Sequence, residues 1–186
     1  MTDNKVLSVS IRELMPVIME QIENGQTVSL KIKGISMQPY LMNNKDTIFM
    51  VSPKDHTPKI GDLYMFRRQD GSYAMHRLSR INSDGTYDFV GDNQYLHDCN
   101  LTKDQFVAYV PKAIRNGKEI SCEKGLLRFY MTKRMIFRRE HPKTAQSLSK
   151  VKMYISLFIH NPTKIFGWLR KRIRRKENEE KGKTSS

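Results

Sequence analysis

At 186 residues, with 38 % hydrophobic content, the chain can hold one domain of about 100 to 120 residues plus appendages. No run approaches the ~18 consecutive apolar residues of a membrane-crossing helix, and "MTDNKVLSVS" has no apolar signal core, so a cytoplasmic location is expected. The two cysteines, Cys99 and Cys122, have neither metal-ligand nor disulfide-framework spacing, and no metal or cofactor is expected. The net charge of +14 is unevenly placed: residues 1–122 carry 15 Lys and Arg against 14 Asp and Glu, and residues 123–186 carry 18 against 5. The first region is nearly neutral and the second strongly basic, so the two do different physical work.

The pattern divides the chain into an N-terminal helix and lead-in (1–27), a mainly-β domain (28–122) and a basic, mostly helical tail (123–186). Ser10 and Glu13 have capping-box spacing, and Leu14, Val17, Ile18 and Ile22 share one helical face before Gly25. Pro16 either marks the true first turn, near Met15, or kinks a longer helix. Then come short runs of β character, "TVSLKIKG", "DTIFMV", "DLYMFRR", "SYAMHRLSRI", "TYDFVG" and "FVAYVPKAI", separated by "NNKD", "DG" and "NSDG" turn signals. Beyond Gly125 the spacing becomes helical. Leu148, Val151, Ile155 and Phe158 form one stripe, and Asn161 with Pro162 starts a last helix bearing Ile165, Phe166, Leu169 and Ile173.

Within the β region the polar groups that carry chemistry are Ser36 in "GISMQPYL", His76 in "AMHRLSRI", and Asp92 and Asp98 in "VGDNQYLHD". A hydroxyl holds its proton tightly at neutral pH, so acyl transfer needs a base beside it and a third group to orient that base. Imidazole, with an ordinary pKa of about 6.5, is mostly neutral near pH 7 and suits the base role. Scattered Ser, His and Asp occur in most chains of this length, and each has a plainer reading: Ser36 and Asp92 as turn formers, His76 as a half-buried strand residue, Asp98 as a loop acid.

Four blocks in order, "GISMQPYLMNNKDTIFM", "KIGDLYMFR", "MHRLSRI" and "GDNQYLHD", resemble the signal peptidase I family and, more distantly, the self-cleaving repressor peptidases. The resemblance covers about residues 30 to 115 and is strongest to the histidine-type branch, because His76 stands where the common bacterial enzymes have lysine. It implies a mainly-β fold with Ser36 as nucleophile, His76 as general base and Asp98 as orienting acid, while Asp92 would support the site and Met37 would shape the turn or line a peptide pocket. Substrates would be extended peptides with small side chains at the cleavage point, paired to a strand edge. The membrane anchor usual in that family is not seen in this sequence. A non-catalytic peptide-binding protein on the same fold is the competing expectation. Self-cleavage is disfavoured because no small-residue cleavage pair precedes Ser36.

The tail has its own expectation. Ile165, Phe166, Trp168 and Leu169 beside six cations in residues 170–176 make residues 162–176 a candidate interfacial helix on an anionic membrane. Acids in "RKENEEK" could instead pair along a solvated helix. Nucleic acid is disfavoured because no stacking module or helix-turn-helix signature accompanies the charge.

Overall fold

The computed structural model describes residues 11–147. The sequence pattern yields a mainly antiparallel β fold with one helix before the sheet and another after it. Helix α1 (Ile11–Glu23) buries Met15, Ile18 and Ile22; of the expected stripe Ile18 and Ile22 are buried and Leu14 is half-buried, whereas Val17 is exposed and Met15 turns inward in its place. Pro16 lies inside the helix, five residues after Ile11, rather than in a first turn starting near Met15; there it forgoes the backbone hydrogen bond that a residue with an N–H would make to the carbonyl of Arg12. The expected cap, Ser10, lies outside the described residues.

Strands β1 (Val28–Lys31), β2 (Asp46–Val51), β3 (Leu63–Arg67), β4 (Tyr73–Ile81), β5 (Tyr87–Val90) and β7 (Phe106–Arg115) correspond to the six β runs. Two further strands, β6 (His97–Leu101) and β8 (Lys118–Ser121), escaped that pattern. The sequence "HDCNL" lacks clean alternation, and "KEIS" is short and polar. The Asn116–Gly117 pair between β7 and β8 has positive φ at both residues (50° and 76°) and was the available hairpin signal.

All neighbouring strands are antiparallel, in the order β1-β2-β7-β3-β4-β5-β6. Strand β7 organises the sheet. Its first half pairs with β3, its second half with β2 on one side and β8 on the other. Strand β1 has only β2 beside it, so its outer edge is unpaired among the described residues. One apolar cluster joins α1 to β1, β2 and β7 through Met15, Ile18, Ile48, Met50 and Val110, and a second is built from the rings of Tyr64, Phe66, Phe89 and Tyr109.

After the sheet, α2 (Leu126–Glu140) buries Met131 and Met135, and residues 142–147 are again helical. The chain forms two compact units, one ending at Ile136 and one beginning at Phe137. No helix among the described residues is long and apolar enough to cross a membrane. The stripe from Leu148 and the helix expected from Asn161 lie outside the described residues.

Candidate active site

Ser36 sits in the turn that follows β1. Gly34, at φ +111°, reverses the chain, and its N–H donates to Asn43 Oδ1 at 3.0 Å. The turn closes through Leu41 N–H to Met37 O at 2.9 Å. Ser36 is half-buried, whereas Met37 is 2 % exposed and belongs to the core cluster. Burying Met37 anchors the turn and leaves its neighbour's hydroxyl at the surface of a cleft.

A second segment docks on this turn. The carbonyl of Ser36 accepts a hydrogen bond from Asn93 N–H at 2.7 Å, and a Cβ on Gly91 would stand 2.8 Å from that same oxygen. Only glycine lets the 91–94 turn approach the serine backbone so closely. The first and last of the four sequence blocks are thereby in direct contact.

His76 lies on β4. Leu78, Phe89 and Asp98 pair in a row across β4, β5 and β6, so they share one face of the sheet, and His76, two residues from Leu78, shares it too. Asp98 Oδ2 is 2.7 Å from His76 Nδ1. Phe66, 6.0 Å from the imidazole centroid, walls the ring on one side. The other Asp98 oxygen accepts from Arg68 Nε, and Arg68 Nη2 donates to Oδ2 at 3.2 Å. Burial alone would raise the Asp98 pKa; the hydrogen bonds from His76 and Arg68 outweigh it and hold the carboxyl at about 2. An ionised carboxylate can only accept, so Nδ1 carries the proton and the lone pair of the neutral ring is on Nε2.

Alternation along β4 sends the next residue to the other face. There Arg77 is fully buried and makes a two-pronged bond to Asp92, with Nε to Oδ1 and Nη2 to Oδ2 both at 2.8 Å. It also donates to Gly61 O at 2.8 Å and lies over the Tyr40 ring at 4.7 Å. Burial opposes its charge, but the Asp92 carboxylate more than compensates and raises its pKa. Asp92 O in turn accepts from Arg134 of α2 at 2.7 Å. The carboxylate bonded to His76 is therefore Asp98, and Asp92 neutralises Arg77 beneath the 91–94 turn.

Ser36, Met37 and His76 line one cleft of about 720 Å³, together with Leu30–Lys33 at the end of β1, Tyr73–Met75 on β4, and Ile11 and Leu14 of α1. No hydrogen bond joins the Ser36 hydroxyl to His76, and neither the Ser36 N–H nor His76 Nε2 has a hydrogen-bond partner among the described residues. Ser36 and His76 thus line one cleft, with the Ser36 N–H and His76 Nε2 not engaged elsewhere among the described residues; acyl transfer requires a hydroxyl, a base and an oxyanion donor of these types. Sequence reasoning missed Arg68, Arg77 and Gly91. The doubled arginine ending "DLYMFRR" was a signal for the first, but nothing local paired it with an acid 30 residues on. Among the described residues no three His, Cys, Asp or Glu side chains converge as a metal site. Cys99 and Cys122 are both free thiols, and Cys122 is buried, its pKa raised to about 12 chiefly by that burial.

Compared with known proteins, residues 5–114 match the family model described as Peptidase S24-like. No curated protein matches the chain.

Proposed function

The chain belongs to the Peptidase S24-like family, and from that premise we propose that it is a serine endopeptidase of the histidine-type signal-peptidase kind, cutting leader or signal-like peptides after small residues. The observation that carries this reading is the Asp98-bound imidazole whose unbonded Nε2 shares a cleft with Ser36.

In the proposed reaction a substrate strand pairs with the unpaired edge of β1 and lays its scissile carbonyl against Ser36. A rotation of the Ser36 side chain brings Oγ to His76 Nε2, a contact that tightens when substrate binds. Nε2 takes the hydroxyl proton as Oγ attacks the carbonyl carbon, and the Ser36 N–H stabilises the resulting oxyanion. Asp98 holds the tautomer and balances the imidazolium. His76 then returns the proton to the leaving amine, and water activated by the same ring releases the acyl group. Arg68 is a positioning residue, since it acts through Asp98. The deciding experiment is incubation of the full chain with synthetic peptides containing an Ala-x-Ala segment, read by mass spectrometry: cleavage by wild type and none by Ser36→Ala is expected.

We also propose that the basic tail attaches the protein to anionic membrane. Residues 162–176 lie outside the described residues, but α2 supports the idea within them: Leu126, Phe129 and Tyr130 are 88 %, 59 % and 61 % exposed, with Lys124 and Lys133 exposed beside them. Large apolar side chains next to cations suit a lipid interface.

A further inference from the structure

Apart from the phenol of Tyr73, the ionisable side chains of the described residues that line the cleft are basic: Lys31 at the end of β1, Lys33 just beyond it, Arg68 after β3, and His76. No carboxylate of the described residues lines it. Asp98 lies behind the imidazole with its oxygens taken by His76 and Arg68, which offsets most of the Arg68 charge. The surplus is therefore Lys31 and Lys33. Both are exposed, they flank the buried Ile32, and neither forms an ion pair among the described residues. Arg68 adds a donor, because its Nε and Nη2 are bound to Asp98 while Nη1 has no partner among the described residues.

Two lysines separated by one residue match the period of an extended chain, in which side chains two apart project the same way. A peptide strand laid along this edge presents alternate side chains to Lys31 and Lys33. We infer that the cleft selects peptides with acidic side chains at alternate positions beside the scissile bond, and that Lys31 and Lys33 are the specificity-determining residues. The inference deepens the peptidase reading and rests on it for turnover, whereas its binding half stands without it.

The test uses the full chain carrying Ser36→Ala and three labelled peptides identical except for Glu, Gln or Lys at two alternating positions next to an alanine. Exposed ion pairs give about two- to fivefold each, so the Glu peptide is expected to bind about fivefold or more tighter than the Gln peptide in fluorescence anisotropy at low salt. The Lys peptide should be weakest, and the differences should shrink as salt screens the charges. Adding Lys31→Gln with Lys33→Gln should remove the preference while leaving the thermal transition in place. Arg68 and the tail keep their cations in that variant, so a preference that survives does not belong to the two lysines and overturns the inference. Turnover by wild type separates the two readings. If all three peptides are cut with equal kcat/KM, the peptidase reading stands and this one falls; if none is cut but the lysine-dependent binding preference is present, the reverse holds.

Discussion

His76 Nδ1 and Asp98 Oδ2 lie 2.7 Å apart, and the very next residue of β4, Arg77, is bound to the other acid of the region, Asp92. Two adjacent basic residues thus hold separate carboxylates on opposite faces of one strand. One pair opens on the cleft, and the other is sealed beneath the turn that supports Ser36.

Replacing either reacting group should abolish turnover without unfolding the chain. In another triad hydrolase, loss of the serine or the histidine costs about 10⁶ in kcat. Ser36→Ala and His76→Ala are expected to fall by at least about 10³ in peptide cleavage, with wild-type circular dichroism. Near-normal cleavage by Ser36→Ala would remove the serine from the mechanism.

The two acids should fail differently. Asp98→Asn keeps the shape but lets the imidazole adopt the wrong tautomer, and the equivalent change in a known triad lowers kcat by about 10⁴. Asp92→Asn instead leaves Arg77 buried with its charge uncompensated, a loss of about 3–5 kcal/mol. Chemical denaturation alongside kinetics should therefore show Asp98→Asn slow and destabilised by no more than about 2 kcal/mol, and Asp92→Asn destabilised more. Equal destabilisation of both would contradict the assignment.

The Asp98 carboxyl makes stability depend on acid pH. Its pKa falls from the usual 3.8 to about 2 on folding, so the unfolded chain binds the proton more readily. The stabilisation, on the order of 2 kcal/mol, is complete above about pH 4 and is lost as pH falls toward 2. Removing one of its two donors with Arg68→Gln should raise the Asp98 pKa and move that loss to higher pH. Carbon-13 titration of the carboxyl reads this directly, and an unchanged midpoint would discount the arginine.

Gly91→Ala probes the contact between the 91–94 turn and the nucleophile. The added methyl would meet Ser36 O and Gln94 Oε1 at 2.8 Å, pushing the serine backbone aside. A misplacement of about 1 Å costs about 10²-fold in rate, so kcat should drop much more than thermal stability. Activity equal to wild type would mean the turn can yield without moving Ser36.

Membrane attachment is tested by co-sedimentation. The full chain should pellet with vesicles containing phosphatidylserine and stay in the supernatant with neutral ones, each basic group near the surface contributing about 1 kcal/mol. Changing Arg170, Arg172, Arg174 and Arg175 to Gln should weaken the binding sharply. Equal pelleting with both vesicle types would argue against charge-driven docking.

Much of this protein is legible in its residue order, because strand alternation, helical spacing and turn residues are local signals. Those signals gave α1 and six of the strands, and set Ser36 at a strand end where "KG" breaks into "SMQPY". They could not give β6, whose residues look like a loop until β5 pairs with them, nor β8, whose length is too short for a pattern. Partnership between charges was likewise decided only by the folded sheet. Asp92 and Asp98 are six residues apart and chemically alike, yet pairing across β4, β5 and β6 puts one on the imidazole and the other on Arg77. Residue type and spacing fix which groups are available, but which side chains meet depends on strand register, a long-range property that no short stretch of chain contains.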